Sequence, residues 1–95
     1  MTGEIIARRL RIHGRVQGVY YRAWTVEAAE RLGLNGWVRN REDGTVEALL
    51  VGPRGAVENM IGSCGSGPSR ARVDRVEVED AQGIVANGFV QKPTV

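Results

Sequence analysis

Hydrophobic and polar positions alternate from Ile5 to His13, with Ile6, Leu10 and Ile12 on one face, Ala7, Arg9, Arg11 and His13 on the other, and Arg8 breaking the rhythm. That period of two predicts a half-buried strand. From Tyr21 to Leu32 the period becomes helical, placing Tyr21, Trp24, Ala28 and Leu32 on one stripe and leaving Glu27, Glu30 and Arg31 outside it; Gly33 marks its end. Gly36 to Arg41 and Thr45 to Val51 are β-rich runs around Glu42, Asp43 and Gly44, which is the chemistry of an antiparallel hairpin. After Gly52 and Pro53, Val57, Met60, Ile61 and Cys64 recur at i, i+3, i+4 and i+7 as a second amphipathic helix, which the glycines and proline of Gly62 to Pro68 are expected to dissolve. Arg72 to Glu79 reads as a strand with Val76 and Val78 inward. An irregular connection from Asp80 to Gly88 then leads to a short strand around Phe89 to Lys92.

The order β-α-β-β-α-β plus a C-terminal strand predicts an α+β fold of the ferredoxin-like type: an antiparallel sheet of four to five strands with two helices on one face. The strand-to-helix loops then open at one edge of the sheet. Residues 1–95 are expected to form a single domain, long enough to bury a modest core without disulfides or a metal. A hydrophobic share of 42% and a charged share of 25% are ordinary for a globular chain. No apolar run approaches the roughly 20 residues of a membrane span, and Met-Thr-Gly-Glu does not begin a secretory signal, so a cytoplasmic protein without a membrane partner is expected.

Cysteine and histidine narrow the chemistry. Cys64 cannot form an intramolecular bridge and reads as small core filler, and one Cys with one His cannot supply a structural zinc site. His13 reads as a surface side chain at a strand end, near enough to Gly14 to meet an anion. The net charge of +2 is unevenly placed: residues 1–45 carry eight arginines against five acids, whereas residues 46–95 carry five basic groups against six acids. An anionic partner for the first half follows. The stretch GRVQGVYYR, Gly14 to Arg22, runs from a strand through a glycine-bracketed loop into a helix with an arginine at its start. Such a loop gathers N–H groups around a small anion and adds a five-donor guanidinium. It is equally readable as a tight turn whose glycines supply unusual φ/ψ angles, with Arg22 solvated.

A second segment shifts that balance. Gly36-Trp37-Val38-Arg39-Asn40 continues to Gly44, Val46 and Gly52, giving G-W-V-R-N-x(3)-G-x-V-x(5)-G. With GRVQGVYYR before it and GPSRARVDRV after it, the chain resembles the acylphosphatases over essentially its whole length. These are small ferredoxin-like enzymes that hydrolyse carboxyl–phosphate bonds without metal or cofactor. The resemblance implies that Arg22 and Asn40 are catalytic, Arg22 binding the phosphoryl group and Asn40 holding the attacking water. It also implies a phosphate cradle of Arg15, Val16, Gln17, Gly18, Val19 and Tyr20 around Arg22. An acyl phosphate is then the substrate, inorganic phosphate or sulfate a site ligand, and a monomer the expected state. Tyr21 departs from the family's usual phenylalanine or methionine, so its hydroxyl needs a partner. Cys64 stands where a bulkier residue is common, which bears on core packing.

The residues themselves agree with this. A cation in a helix's first turn opposes the macrodipole by about 0.3–1 kcal/mol unless an anion lies between. Asn40 falls on the face of Val38, where an amide needs partners; a held water or a loop carbonyl would serve. Acyl phosphates release a carboxylate that needs no proton, so no general acid is required and catalysis is mostly positioning and charge stabilisation. Among alternatives, an RNA-binding domain shares the topology, but its aromatic RNP1 pattern is absent from a chain with five aromatics, and no nucleic-acid partner is expected. A carbamoyl-phosphate-handling or phosphate-sensing module, as at the start of larger hydrogenase-maturation proteins, is a second alternative. A P-loop would need the Gly-Lys-Ser/Thr ending that this loop lacks. Trp24 reads as core, and Trp37 as bordering the site or covering the open sheet face.

Overall fold

The computed structural model describes residues 4–82 and 85–95. The elements run β1 (Ile5–Arg15), α1 (Tyr21–Arg31), β2 (Asn35–Asn40), β3 (Val46–Pro53), α2 (Arg54–Cys64), β4 (Arg72–Asp80) and β5 (Phe89–Gln91). They form one five-stranded sheet in the order β4-β1-β3-β2-β5. Pairing is antiparallel throughout except that the short β5 lies parallel to β2, which makes the sheet mixed. Both helices pack on one face of it, α1 over β2 and β5, and α2 over β1 and β3. Of the connection expected between Asp80 and Gly88, residues 83–84 lie outside the described residues, as do residues 1–3.

The pattern of β3 explains the two-layered core. Val46, Ala48 and Leu50 face the helices and join Leu10, Ile12, Val38, Val57 and Met60 in the main cluster. Full burial of each such aliphatic side chain is worth about 1.5–3 kcal/mol. On the other face Leu49, Val51 and Ala7 form a smaller cluster under Trp37, Ala81 and Val85. Among the described residues no helix is long and apolar enough to cross a membrane.

Three expectations shift. The buried stripe of α1 is Tyr21, Thr25, Ala28 and Ala29, with Trp24 and Leu32 only partly buried beside it. The helix ends where the Gly33 and Leu34 N–H groups donate to the Glu30 and Ala29 carbonyls. Helix α2 runs through Gly62 and Ser63 to Cys64, because Met60 and Cys64 are wholly buried and tertiary packing outweighs glycine's preference. On β4, Val78 is 45% exposed rather than inward. Val76 packs against the core as expected, and Val78, on the same face opposite Leu10, is left exposed because β4 is an edge strand. The ladder with β1 slips between His13 and Gly14, which pair with Arg75 and Val73, so Asp74 bulges and Val73 joins Val76 on the core face.

Candidate active site

The slip in that ladder also launches the loop from β1 to α1. Gly14 sits there at φ +127°, and a Cβ on it would fall on the Arg72 carbonyl oxygen, so only glycine lets β4 approach this closely. Val16, buried in the main core, anchors the start of the loop, and the buried Tyr21 anchors its end. Between them Gly18 and Tyr20 both take positive φ, 73° each. For a tyrosine that backbone costs on the order of 1–3 kcal/mol, sustained by the anchors on either side. The N–H groups from Gln17 to Ala23 donate to no other described residue. A curl of unpaired N–H groups at a helix N-terminus is a concavity for an anion.

Gln17 fixes the loop against the neighbouring hairpin. Its Nε2 donates to the carbonyls of Arg41 at 2.7 Å and Thr45 at 2.8 Å. Asn40, the last residue of β2, adjoins that junction, and its main-chain oxygen accepts from the Val95 N–H. The side chain of Asn40 points, with Val38, to the helix side of the sheet. There it meets Arg22, Ala23, Gly18 and Tyr20 around a cavity of about 200 Å³. The Asn40 Oδ1 is buried and accepts no hydrogen bond from the described residues. Nor does any described carboxylate lie within ion-pairing distance of Arg22, and the first turn of α1 contains no acid.

The remaining expected site residues are divided. Val16, Gly18 and Tyr20 line the cavity with Arg22 and Asn40. Arg15 is exposed at the end of β1 opposite Arg72, and Gln17 spends its side chain on the hairpin; neither lines the cavity. Val19 turns to an adjacent cleft. The sequence reading missed Gln91, which lines the cavity from β5. The signal was its alternation with the buried Phe89, two residues earlier on the same face.

Chemically the cavity offers a guanidinium, a carboxamide oxygen and main-chain N–H groups, all suited to an oxyanion and a water. No cysteine, serine or threonine lines it: Cys64 is wholly buried at the end of α2, where burial pushes its thiol up to about 11. Among the described residues no three His, Cys, Asp or Glu side chains gather as metal ligands. The Tyr21 hydroxyl donates to the Cys64 carbonyl at 2.8 Å, so its extra oxygen closes α2 and stays out of the cavity.

Known proteins share both the sequence and this fold. The acylphosphatase family model matches residues 8–91. An acylphosphatase of Rhizorhabdus wittichii is 60% identical over 90 residues, 95% of this chain and 91% of that protein. Among solved structures, an acylphosphatase from Coxiella burnetii superposes with a TM-score of 0.89 at 30% identity, covering 93% of each chain. One from Bacillus subtilis superposes at 0.86 and 30%, covering 94% of this chain and 99% of that one. With both signature segments meeting at one cavity and likeness spanning nearly the full length, the chain belongs to the acylphosphatase family.

Proposed function

We propose that this acylphosphatase hydrolyses its substrate in the cavity between the β1–α1 loop and the end of β2. The phosphoryl oxygens lie against the free N–H groups around Gly18 to Tyr20 and against the Arg22 guanidinium, whose planar fork suits two of them. The Asn40 Oδ1 accepts a hydrogen bond from a water and aims its lone pair at phosphorus. The bond between phosphorus and the acyl oxygen breaks in line with that attack. The carboxylate leaves without needing a proton, and the water's oxygen ends in inorganic phosphate. Charge spread over the phosphoryl oxygens is where such catalysis gains most, and the loop held by Val16, Gln17 and Tyr21 sets its N–H groups for that charge before the substrate arrives.

The observation that carries this reading is the pairing of two unmet demands in one small space: a guanidinium without a carboxylate and a buried carboxamide oxygen without a donor. An anion meets the first and a water the second. The reaction should proceed in a monomer with EDTA present, without nucleic acid, and with inorganic phosphate as a competitive inhibitor. In water labelled with heavy oxygen, the label should appear in phosphate and not in the carboxylate. Asn40→Ala should lower kcat on benzoyl phosphate by roughly 100-fold while leaving phosphate inhibition within about twofold, as expected for a group that orients the nucleophile. Label in the carboxylate, or equal damage to phosphate inhibition, would remove the assignment.

A further inference from the structure

Beyond Tyr20 lies a second, wider cleft of about 380 Å³, lined by Val19, Tyr20, Pro68, Ser69 and Arg70. Tyr20 is the residue it shares with the cavity of Arg22 and Asn40. The Tyr20 hydroxyl donates to Glu27 two turns along α1, which holds the ring as a wall. The opposite wall is a turn closed by the Ala71 N–H on the Pro68 carbonyl at 2.9 Å. Gly67 seats this turn on the buried Tyr21 ring, so closely that an added Cβ would lie 2.6 Å from Cε2. The turn and the phosphate loop are thus fixed to the same side chain. Arg70, carried on the turn, is exposed, and no described carboxylate lies within ion-pairing distance of it.

In-line displacement sends the leaving group to the side opposite the attacking water. Asn40 and Gln91 line the first cavity and not the cleft, whereas Val19, Pro68 and Arg70 line the cleft and not the first cavity. Tyr20, which borders both, is the wall between them. We propose that the cleft receives the acyl group, and that Arg70 favours acyl phosphates whose acyl body is apolar and ends in a second carboxylate, the monophosphorylated dicarboxylic acids. The apolar body lies between the Tyr20 ring, Val19 and Pro68; the distal carboxylate reaches the Arg70 guanidinium. This rests on the reading that Arg22 and Asn40 serve the phosphoryl end.

Three substrates separate the elements: acetyl phosphate has no body to enter the cleft, benzoyl phosphate has the body alone, and para-carboxybenzoyl phosphate has both body and charge. Arg70→Gln should lower kcat/KM for para-carboxybenzoyl phosphate roughly three- to fivefold, the scale of one exposed ion pair, and Arg70→Glu further still. Acetyl and benzoyl phosphate should stay within about twofold of the unaltered protein. An equal loss on all three substrates, or none on the carboxylated one, overturns the proposal. Acetyl phosphate hydrolysis by the unaltered chain reports the phosphoryl end alone; its absence would strike the Arg22–Asn40 reading instead.

Discussion

The open face of the sheet and the loop-lined edge use arginine in opposite ways. On the open face Arg9 meets Glu79 at 2.6 Å, Arg11 meets Asp43 at 3.4 Å, and Arg39 and Arg41 converge on Glu47 at 2.9 and 2.8 Å. Glu47 is buried between strands whose neighbours at the same register are Arg11 and Arg39. Burial pushes its carboxyl up, but the hydrogen bonds from Arg39 and Arg41 outweigh this and hold it below the usual range. At the edge, Arg22 has no such counter-charge among the described residues and stands in a first turn whose dipole opposes it, next to unpaired N–H groups. The difference separates internal neutralisation from readiness for an outside anion, and neither residue type nor total charge reveals it.

The sharpest way to break that comparison is to make one conservative change in each region. Arg22→Lys keeps the charge but replaces a two-pronged donor with a point charge at the phosphoryl group. It should lower kcat/KM for benzoyl phosphate by roughly 100-fold, raising KM as well as lowering kcat, with thermal unfolding little changed. Arg39→Lys keeps a cation beside Glu47 and lies outside the cavity, so activity should stay within about twofold and stability should fall by no more than about 1 kcal/mol. Comparable activity losses in the two variants would show that pairing does not distinguish site from scaffold.

A second test acts on the paired region and on pH. Glu47→Gln leaves two partly buried guanidinium groups facing a neutral amide and should cost about 1–3 kcal/mol in urea unfolding. The sign with pH follows from the lowered carboxyl. With the folded value below the unfolded one, Glu47 contributes its full stabilisation above the ordinary carboxylate range and loses it as pH falls through the lowered folded value. The Gln variant should therefore show a flatter loss of stability on acidification, measured by urea midpoints across pH 7 to pH 3. Parallel curves for the two proteins would mean that Glu47 is not ionised by its arginines.

Much of this arrangement was legible in the chain because local rules and tertiary demands coincide. The alternation of Ile6, Leu10 and Ile12, the hairpin around Asp43 and Gly44, and the shared face of Val38 and Asn40 all follow from a period of two, and packing respects it. Reading failed where one inserted or conflicting residue decides. A bulge at Asp74 turns Val73 to the face of Val76, and Val78 on that same face is left exposed because β4 is the edge strand; nothing in Arg72 to Asp80 announces the extra residue or the edge position. Gly62 inside α2 survives because Met60 and Cys64 pay for it in burial. The roles of Gln17 and Gln91 depend on which strands become neighbours, since one reaches the carbonyls of Arg41 and Thr45 and the other enters the cavity from a strand paired with β2. Such roles are properties of the assembled sheet.

The smallest effect concerns the residue that joins the loop-lined edge to α2. Tyr21 is 1% exposed, its ring lies 5.3 Å from that of Trp24, and its hydroxyl donates to the Cys64 carbonyl at the end of α2. Burial pushes the phenol far up, so it remains a donor at any working pH. Tyr21→Phe keeps the ring against Gly67 and Trp24 and removes only the oxygen, leaving the Cys64 carbonyl without that donor. A loss of about 0.5–1.5 kcal/mol is expected, a few degrees in Tm for a chain of this length. Activity on benzoyl phosphate should hold within about twofold, because the hydroxyl points away from Arg22 and Asn40. A variant that keeps its stability but loses turnover would place that oxygen in the reaction rather than in the fold, and the separation of scaffold from site at this residue would be wrong.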